Sequence, residues 1–291
     1  MVISGVMRVI KRRKGNADYY YLQHSYRREG KVNTKERYLG KEIPNNIEEI
    51  KKKLLHDTQE KFMLEKLEKI RSDFQKQWKQ YPESAKQREK QELAITFTYN
   101  TNAIEGSKIT LEETRAILED QIAPNKPLRD IKETEAHAKL FLEMLKKEDP
   151  ISRSLLLKWH KEMFKETKAD IAGKFRTWPV SVGPSFPPHW SKIEKSIAQL
   201  MAFINKSSMN PVEIAIRAHY IFVKIHPYGD GNGRIGRLLM NYILWKNGYP
   251  MFVTENTKKK AYYESLEKSE EGFRNYLMGR YIATQRKRLI S

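Results

Sequence analysis

The sequence predicts a mostly α-helical protein preceded by a small β module, and three observations carry that prediction. From about residue 86 onward, apolar residues recur at helical spacing. Residues 1–42 instead hold aromatic and β-branched runs between Gly and Asn clusters, the pattern of a short meander. The stretch Arg176 to Trp190 carries Pro179, Gly183, Pro184, Pro187 and Pro188. That density excludes a helix and a central strand, and fits a short edge hairpin or flap.

Composition sets the outer bounds. The 291 residues contain 55 Lys+Arg against 36 Asp+Glu, a net charge of +19. Hydrophobic residues at 39% and aromatics at 11% suffice for a sizeable core, which excludes global disorder. There is no cysteine, which excludes a disulfide scaffold, a thiolate zinc site, an iron–sulfur cluster and a cysteine nucleophile. No apolar run approaches the ~18 residues of a membrane span. At the start, the apolar Met1 to Met7 precedes the basic Lys11-Arg12-Arg13, the reverse of a secretory signal. The expectation is a soluble cytoplasmic chain without a membrane, whose charge suits nucleotides, nucleic acid or acidic protein surfaces.

Along the chain, Val2–Arg13, Tyr19–Arg27 and Lys31–Leu39 read as strands, with turns at 14–18 and 28–30 and a stop at Gly40. This module carries eleven Lys/Arg and four Asp/Glu, so nucleic acid stays open as a partner. A long exposed helix is expected over about 47–80, broken at Tyr81-Pro82. Thr110–Glu113 and Ser191–Glu194 read as capping boxes that open helices. Amphipathic stretches follow at Ile131–Lys147 and Ile151–Lys165. The expected division is a basic β module at 1–42, a helical linker at 43–95 and a helical domain at 96–291.

The chemistry concentrates between two core helices. Asn210-Pro211 opens one, whose stripe is Ile214, Ala218, Ile221, Phe222 and Ile225. Ile235, Leu238, Leu239, Tyr242 and Trp245 mark the other, stopped by Asn247-Gly248. The loop His226 to Gly233 is thus held at both ends. Gly229, Gly231 and Gly233 permit backbone N–H groups to converge on an anion at the start of the second helix. Arg234 and Arg237, three apart, can grip phosphoryl oxygens. Asp230 is a hard oxygen ligand suited to Mg²⁺, and His226 is a candidate general base. The other histidines show no metal-ligand spacing and read as surface or core residues.

The run His226-Pro227-Tyr228-Gly229-Asp230-Gly231-Asn232-Gly233-Arg234-Ile235-Gly236-Arg237 resembles the signature of the Fic family, with Tyr228 in the usual Phe position. The resemblance extends over roughly residues 96–275. It implies an all-helical core that transfers AMP from ATP to a Ser, Thr or Tyr hydroxyl of a target protein. His226 would deprotonate that hydroxyl, and Asp230 would hold Mg²⁺ between the α- and β-phosphates. Asn232 and the Gly231 and Gly233 backbone would cradle phosphates, with Arg234, Ile235, Gly236 and Arg237 completing the nucleotide-binding run. Arg237 would take the γ-phosphate. Val182, Gly183, Pro184 and Ser185 lie where the family has a flap that holds the target chain. Tyr262 and Tyr263 match a pair that lines the adenine pocket. Glu270 stands where the family often has Asn.

Thr101-Asn102-Ala103-Ile104-Glu105-Gly106 is similar to the family's inhibitory motif, whose glutamate would pair with Arg237 in competition with the γ-phosphate. The sequence therefore supports an autoinhibited protein adenylyltransferase. Two alternatives remain: removal of AMP by the same site, and a nucleic-acid-binding regulator with a Fic-like core. The basic module and Arg286-Lys287-Arg288 favour the last; the intact His226 and Asp230 oppose it. A homodimer is left open.

Overall fold

The computed structural model describes residues 5–28, 30–146, 149–183 and 186–288. Pro184 and Ser185 of the expected flap lie outside the described residues, as do Met1–Ser4 and Glu29. The chain divides into two compact units, Met1–Lys69 and Ile70–Ser291.

In the first unit, β1 (Gly5–Lys14), β2 (Ala17–Arg28) and β3 (Lys31–Gly40) form an antiparallel sheet in chain order. Gly15 and Gly30 take positive φ in its two turns, a conformation that favours glycine. Alternation sorts the side chains. Leu22 and His24 on β2 are fully buried on one face, while Val32, Thr34, Glu36 and Tyr38 on β3 are exposed. Helix α1 (Ile47–Gln80) buries Leu54, Thr58 and Leu67, and its Phe62 meets Tyr26 edge-on at 5.1 Å.

The second unit is helical. It holds the end of α1, then α2 (Glu83–Ile104), α3 (Leu111–Arg115) with a π-turn Ala116–Asp120, α4 (Leu128–Lys146) and α5 (Arg153–Phe164). After the proline-rich stretch come α6 (Ile193–Lys206), α7 (Pro211–Ile225), α8 (Asn232–Lys246), α9 (Lys259–Glu267) and α10 (Glu270–Arg288). Among the described residues no helix is long and apolar enough to cross a membrane.

The Thr110 box forms: Glu113 N–H donates to Thr110 Oγ1 at 3.1 Å, and Thr110 N–H donates to Glu113 Oε2 at 2.8 Å. The Ser191 box does not. His189 reaches both Ser191 N (3.3 Å) and Ser191 Oγ (2.8 Å), a short 3₁₀ turn Trp190–Lys192 intervenes, and α6 starts one residue later without a side-chain cap. Among the described residues of 176–190, Val182 makes an isolated bridge rather than a ladder, as the prolines' missing N–H donors dictate.

Helices α7 and α8 form the centre. Asn210 Oδ1 accepts from Val212 N–H at 2.9 Å, with Pro211 in the first helical position. Ala215, Ala218 and Phe222 of α7 and Ile235, Leu238 and Leu239 of α8 are fully buried. Each large apolar side chain so buried contributes roughly 1.5–3 kcal/mol. Ile221 and Trp245 are half-buried at the margins. The helix pair is the rigid support of the loop between them.

Candidate active site

The loop 226–231 turns on two left-handed residues. His226 ends α7 at φ +50°, and its N–H still donates to Phe222 O at 3.0 Å. Gly231 precedes α8 at φ +78°, and a Cβ there would strike the Phe164 ring. Asn232 closes the loop from inside: its side-chain amide donates to Tyr228 O and accepts from Tyr228 N–H, both at 2.9 Å. These bonds engage Oδ1 and one Nδ2 hydrogen of Asn232 in holding the loop. Tyr228 is fully buried and stacks on His160 at 3.9 Å between ring centres. Its hydroxyl has no partner among the described residues.

Two residues outside the loop fix it. His160 bonds Asp230 O through Nε2 at 3.1 Å and accepts from Gly173 N–H through Nδ1 at 2.9 Å. Burial pushes its pKa down to about 4, so near neutral pH it is uncharged and Nε2 is the donor. Arg176, 3% exposed, donates to His226 O (2.8 Å), Trp178 O (2.9 Å) and Pro188 O (2.7 Å), while its own N–H donates to Pro227 O (2.9 Å). The base and both ends of the proline-rich segment thus share one guanidinium. Burial lowers the His226 pKa below the usual histidine value, and the Arg176 charge lowers it further against Glu105 and Asp230. His226 is therefore a neutral imidazole near pH 7, the form that accepts a proton.

The start of α8 carries no side-chain cap, so first-turn N–H groups face the loop. Arg234 in this turn and Arg237 in the next reach different acids. Arg237, 1% exposed, donates to Glu105 Oε1 at 2.6 Å, to Thr101 Oγ1 at 2.6 Å and to Thr101 O at 3.1 Å. Burial alone would lower its pKa; Glu105 more than offsets this and raises it. Gly233 is what permits the approach, because a Cβ there would collide with the Glu105 carboxylate. Glu105 follows the last residue of α2, and Gly106 takes φ +101° as the chain turns away. The segment is thus a helix end and an acid carrier at once.

Arg234 pairs with Glu133 of α4, lies over the Phe164 ring at 4.7 Å and reaches Asp230 at 3.5 Å. Lys168 bridges Asp230 Oδ2 (2.6 Å) and Glu133 Oε1 (2.8 Å). Burial would raise the Asp230 pKa, but Arg234 and Lys168 hold it below the usual carboxylate value. These four groups, with Asn102, Glu105, Ser107, Arg129 and Asp130, line a polar cavity of about 190 Å³. Asp230 and Glu133 are the carboxylates that could hold a divalent cation. Among the described residues no cluster of three or more His or acidic side chains forms a complete metal cage. That donor set fits Mg²⁺, which is usually held by one or two carboxylates plus substrate phosphates.

The aromatic pair divides. Tyr262 is 1% exposed, and its hydroxyl meets His219 Nε2 at 2.8 Å and Arg237 at 3.5 Å. Tyr263 is 36% exposed and stands beside the end of α2. Of the two, Tyr263 is the one with a face open to a ligand. Glu270 pairs with Arg217 at 2.7 Å. Sequence reasoning missed Glu133, His160, Lys168 and Arg176. They come from α4, α5 and the segment after α5, and no local spacing ties them to the loop.

The Fic/DOC family model matches residues 150–244. The protein adenylyltransferase fic-1 of Caenorhabditis briggsae is 34% identical over 198 residues, 65% of this chain and 39% of that protein. The protein adenylyltransferase Fic of Nematostella vectensis is 32% identical over 189 residues, 62% of this chain and 44% of that protein. Among solved structures, a Fic-domain signalling protein from Bacteroides thetaiotaomicron superposes with TM-score 0.67 at 25% identity, covering 77% of this chain and 95% of that one. Fic-1 from Caenorhabditis elegans gives TM-score 0.70 at 27% identity, covering 87% and 79%. The chain spans about two fifths of the length of these curated relatives.

Proposed function

We propose that this chain, which belongs to the Fic/DOC family, is a protein adenylyltransferase held off by its own Glu105. The observation that carries the reading is the setting of the loop. A neutral, half-buried His226 stands in one loop with an uncapped helix N-terminus, the Asp230 carboxylate and two arginines. The relatives named protein adenylyltransferase support the same activity.

In the reaction, a target Ser, Thr or Tyr hydroxyl attacks the α-phosphorus of ATP. The new O–P bond forms as the bond to the β-phosphate oxygen breaks, giving the AMP ester and pyrophosphate. His226 Nε2 takes the hydroxyl proton and later releases it to water. The first-turn N–H groups of α8 and the guanidinium of Arg234 stabilise the charge on the transferring phosphoryl oxygens. Mg²⁺, held by Asp230 with the phosphates, would neutralise negative charge there. For Asp230 to serve it, Lys168 withdraws toward Glu133. Tyr263 offers its face to the adenine. The segment about Val182 and Gly183 receives the target chain.

Arg237 is the γ-phosphate's partner, and Glu105 competes for it. While the pair stands, ATP sits without its α-phosphorus in line with the hydroxyl. The test is incubation with α-labelled ATP and Mg²⁺, comparing the whole chain with Glu105→Gly. Label in the variant and little in the parent supports the reading; no label in either, with a set of candidate targets, overturns it. A second reading, removal of AMP, draws on the charge of Glu105 being felt at His226, where a carboxylate could orient water. Incubation with a pre-modified target distinguishes it.

A further inference from the structure

The transfer site leaves the basic sheet of the first unit unexplained. Its two faces differ. Leu22 and His24 are buried on one. Strand pairing places on the other the rows Arg12–Tyr19, Ile10–Tyr21–Tyr38, Arg8–Gln23–Glu36 and Val6–Ser25–Thr34. This second face is open: Val6 is 69% exposed, Val32 66% and Tyr38 54%. Three tyrosines cluster there, Tyr19 to Tyr38 at 6.2 Å and Tyr21 to Tyr38 at 5.3 Å between ring centres. Arg12 lies over the Tyr21 ring at 4.9 Å. Glu36 is the face's acid, and it is engaged by Arg12 (2.7 Å) and Gln23 (2.9 Å). Arg8 donates to Gln23 at 2.8 Å.

Tyr38 is exposed and Tyr19 and Tyr21 beside it are half-buried, an aromatic patch whose partner the surrounding charge narrows. Pairing puts Arg8, Arg12 and Arg27 on this face with Glu36, and residues 1–42 hold eleven Lys/Arg against four Asp/Glu, which favours an anionic partner. An acidic peptide would use the arginines but leave the ring faces idle. A duplex keeps its base faces stacked, so it too would use the arginines and leave the ring faces idle. A single strand presents both features, unstacked base faces for the tyrosines and phosphates for the arginines. We propose that the open face of β1–β3 binds single-stranded nucleic acid, with Tyr21 and Tyr38 stacking on bases and Arg8 and Arg12 on phosphates. From Tyr19 to Arg27 a strand runs roughly 26 Å, room for about four nucleotides, the low end of the sizes sheet platforms cover.

The test uses the full chain and fluorescein-labelled 12-nucleotide single strands of mixed sequence, one RNA and one DNA, read by anisotropy over a salt series. Binding of either strand, tighter than that of the same sequence as a duplex, is expected. Tyr21→Ala and Tyr38→Ala should each weaken it by about five- to 150-fold, the range for losing one stacked base. Tyr38→Phe, which keeps the ring, should bind as the parent does. Arg12→Gln should lessen the slope of log K against log salt by about 0.7, one phosphate on a single strand. Tyr38 is exposed, so its truncation leaves the module's core intact. The proposal is overturned if neither strand binds, if the duplex binds tighter, if both alanine variants bind like the parent, or if polyglutamate displaces the strand at equal charge.

Discussion

The first two turns of α8 send their two arginines to two differently built ends of one site. At the closed end, Arg237 is 1% exposed and committed to Glu105 and Thr101. At the open end, Arg234, Lys168, Glu133 and Asp230 share charges around a cavity, and the Asp230 side chain is 45% exposed. The closed end has one arrangement, and losing a partner there strands a buried charge. At the open end Asp230 and Glu133 each contact both Lys168 and Arg234, so each acid keeps a cation when one leaves. On the proposed function, the committed pair is the block and the shared set the seat for an exchangeable ion.

The largest expected effect lies between the ends. His226→Ala should cost ~10²–10⁴-fold in AMP transfer with ATP still binding, as loss of a positioned base does. Equal labelling by parent and variant would remove His226 from its role. The same base predicts a pH limb. Transfer needs the neutral imidazole, so it falls as pH drops through the His226 pKa; because that pKa is lowered, the limb should lie below pH 6.5. A limb above pH 7 in single-turnover rates contradicts the assignment.

The comparison itself is broken at the closed end by Glu105→Gly. If the pair biases the site by about 1.5–3 kcal/mol, transfer should rise roughly 10–150-fold. Arg237→Ala should not mimic this, because it removes the phosphate contact together with the competitor. The double variant should be slower than Glu105→Gly alone in initial rates at one ATP concentration. Equal rates for parent and Glu105→Gly would reduce Thr101–Gly106 to a helix end.

At the open end, Lys168→Met should tighten the divalent ion at Asp230 by roughly three- to tenfold, since it removes a neighbouring positive charge from a site that water partly screens. Isothermal titration with Mn²⁺ reads this without any transfer assay. An unchanged affinity would mean that Lys168 does not contest the seat. The smallest effect is expected away from both ends. Tyr228→Phe deletes a buried hydroxyl without a partner among the described residues, a group that costs ~1–3 kcal/mol when left unpaired. Urea melts should show stability unchanged or raised by up to about 1 kcal/mol. A loss above that would reveal a partner for the hydroxyl.

Legibility followed locality. The loop from His226 to Arg237 was readable because glycines, base, acid and arginines lie within one turn and two helix ends. The closed end was readable through the motif at Thr101–Gly106. The open end was not: Lys168 and Glu133 are ordinary members of charged stretches until α4, α5 and the following turn converge on Asp230. Which of the adjacent tyrosines faces inward was not legible either: Tyr262 is 1% exposed and Tyr263 36%, and the motif names both alike. The β module was legible as strands and turns. Which face is buried with Leu22 and His24 depends on packing such as that of Phe62 of α1 on Tyr26, which no strand pattern contains.

Arg176 has a consequence of its own. Among the described residues no carboxylate neutralises it, and its charge rests on the carbonyl dipoles of His226, Trp178 and Pro188. One side chain therefore serves as both rivet and proton thermostat for the base: it fixes where His226 sits and how readily the ring takes a proton. The two jobs separate by chemistry rather than by position. A lysine there keeps the charge and loses the fork; a methionine loses both. The lysine variant's rate against that of the parent reports the geometry, and the shift of the acid limb between lysine and methionine reports the electrostatics.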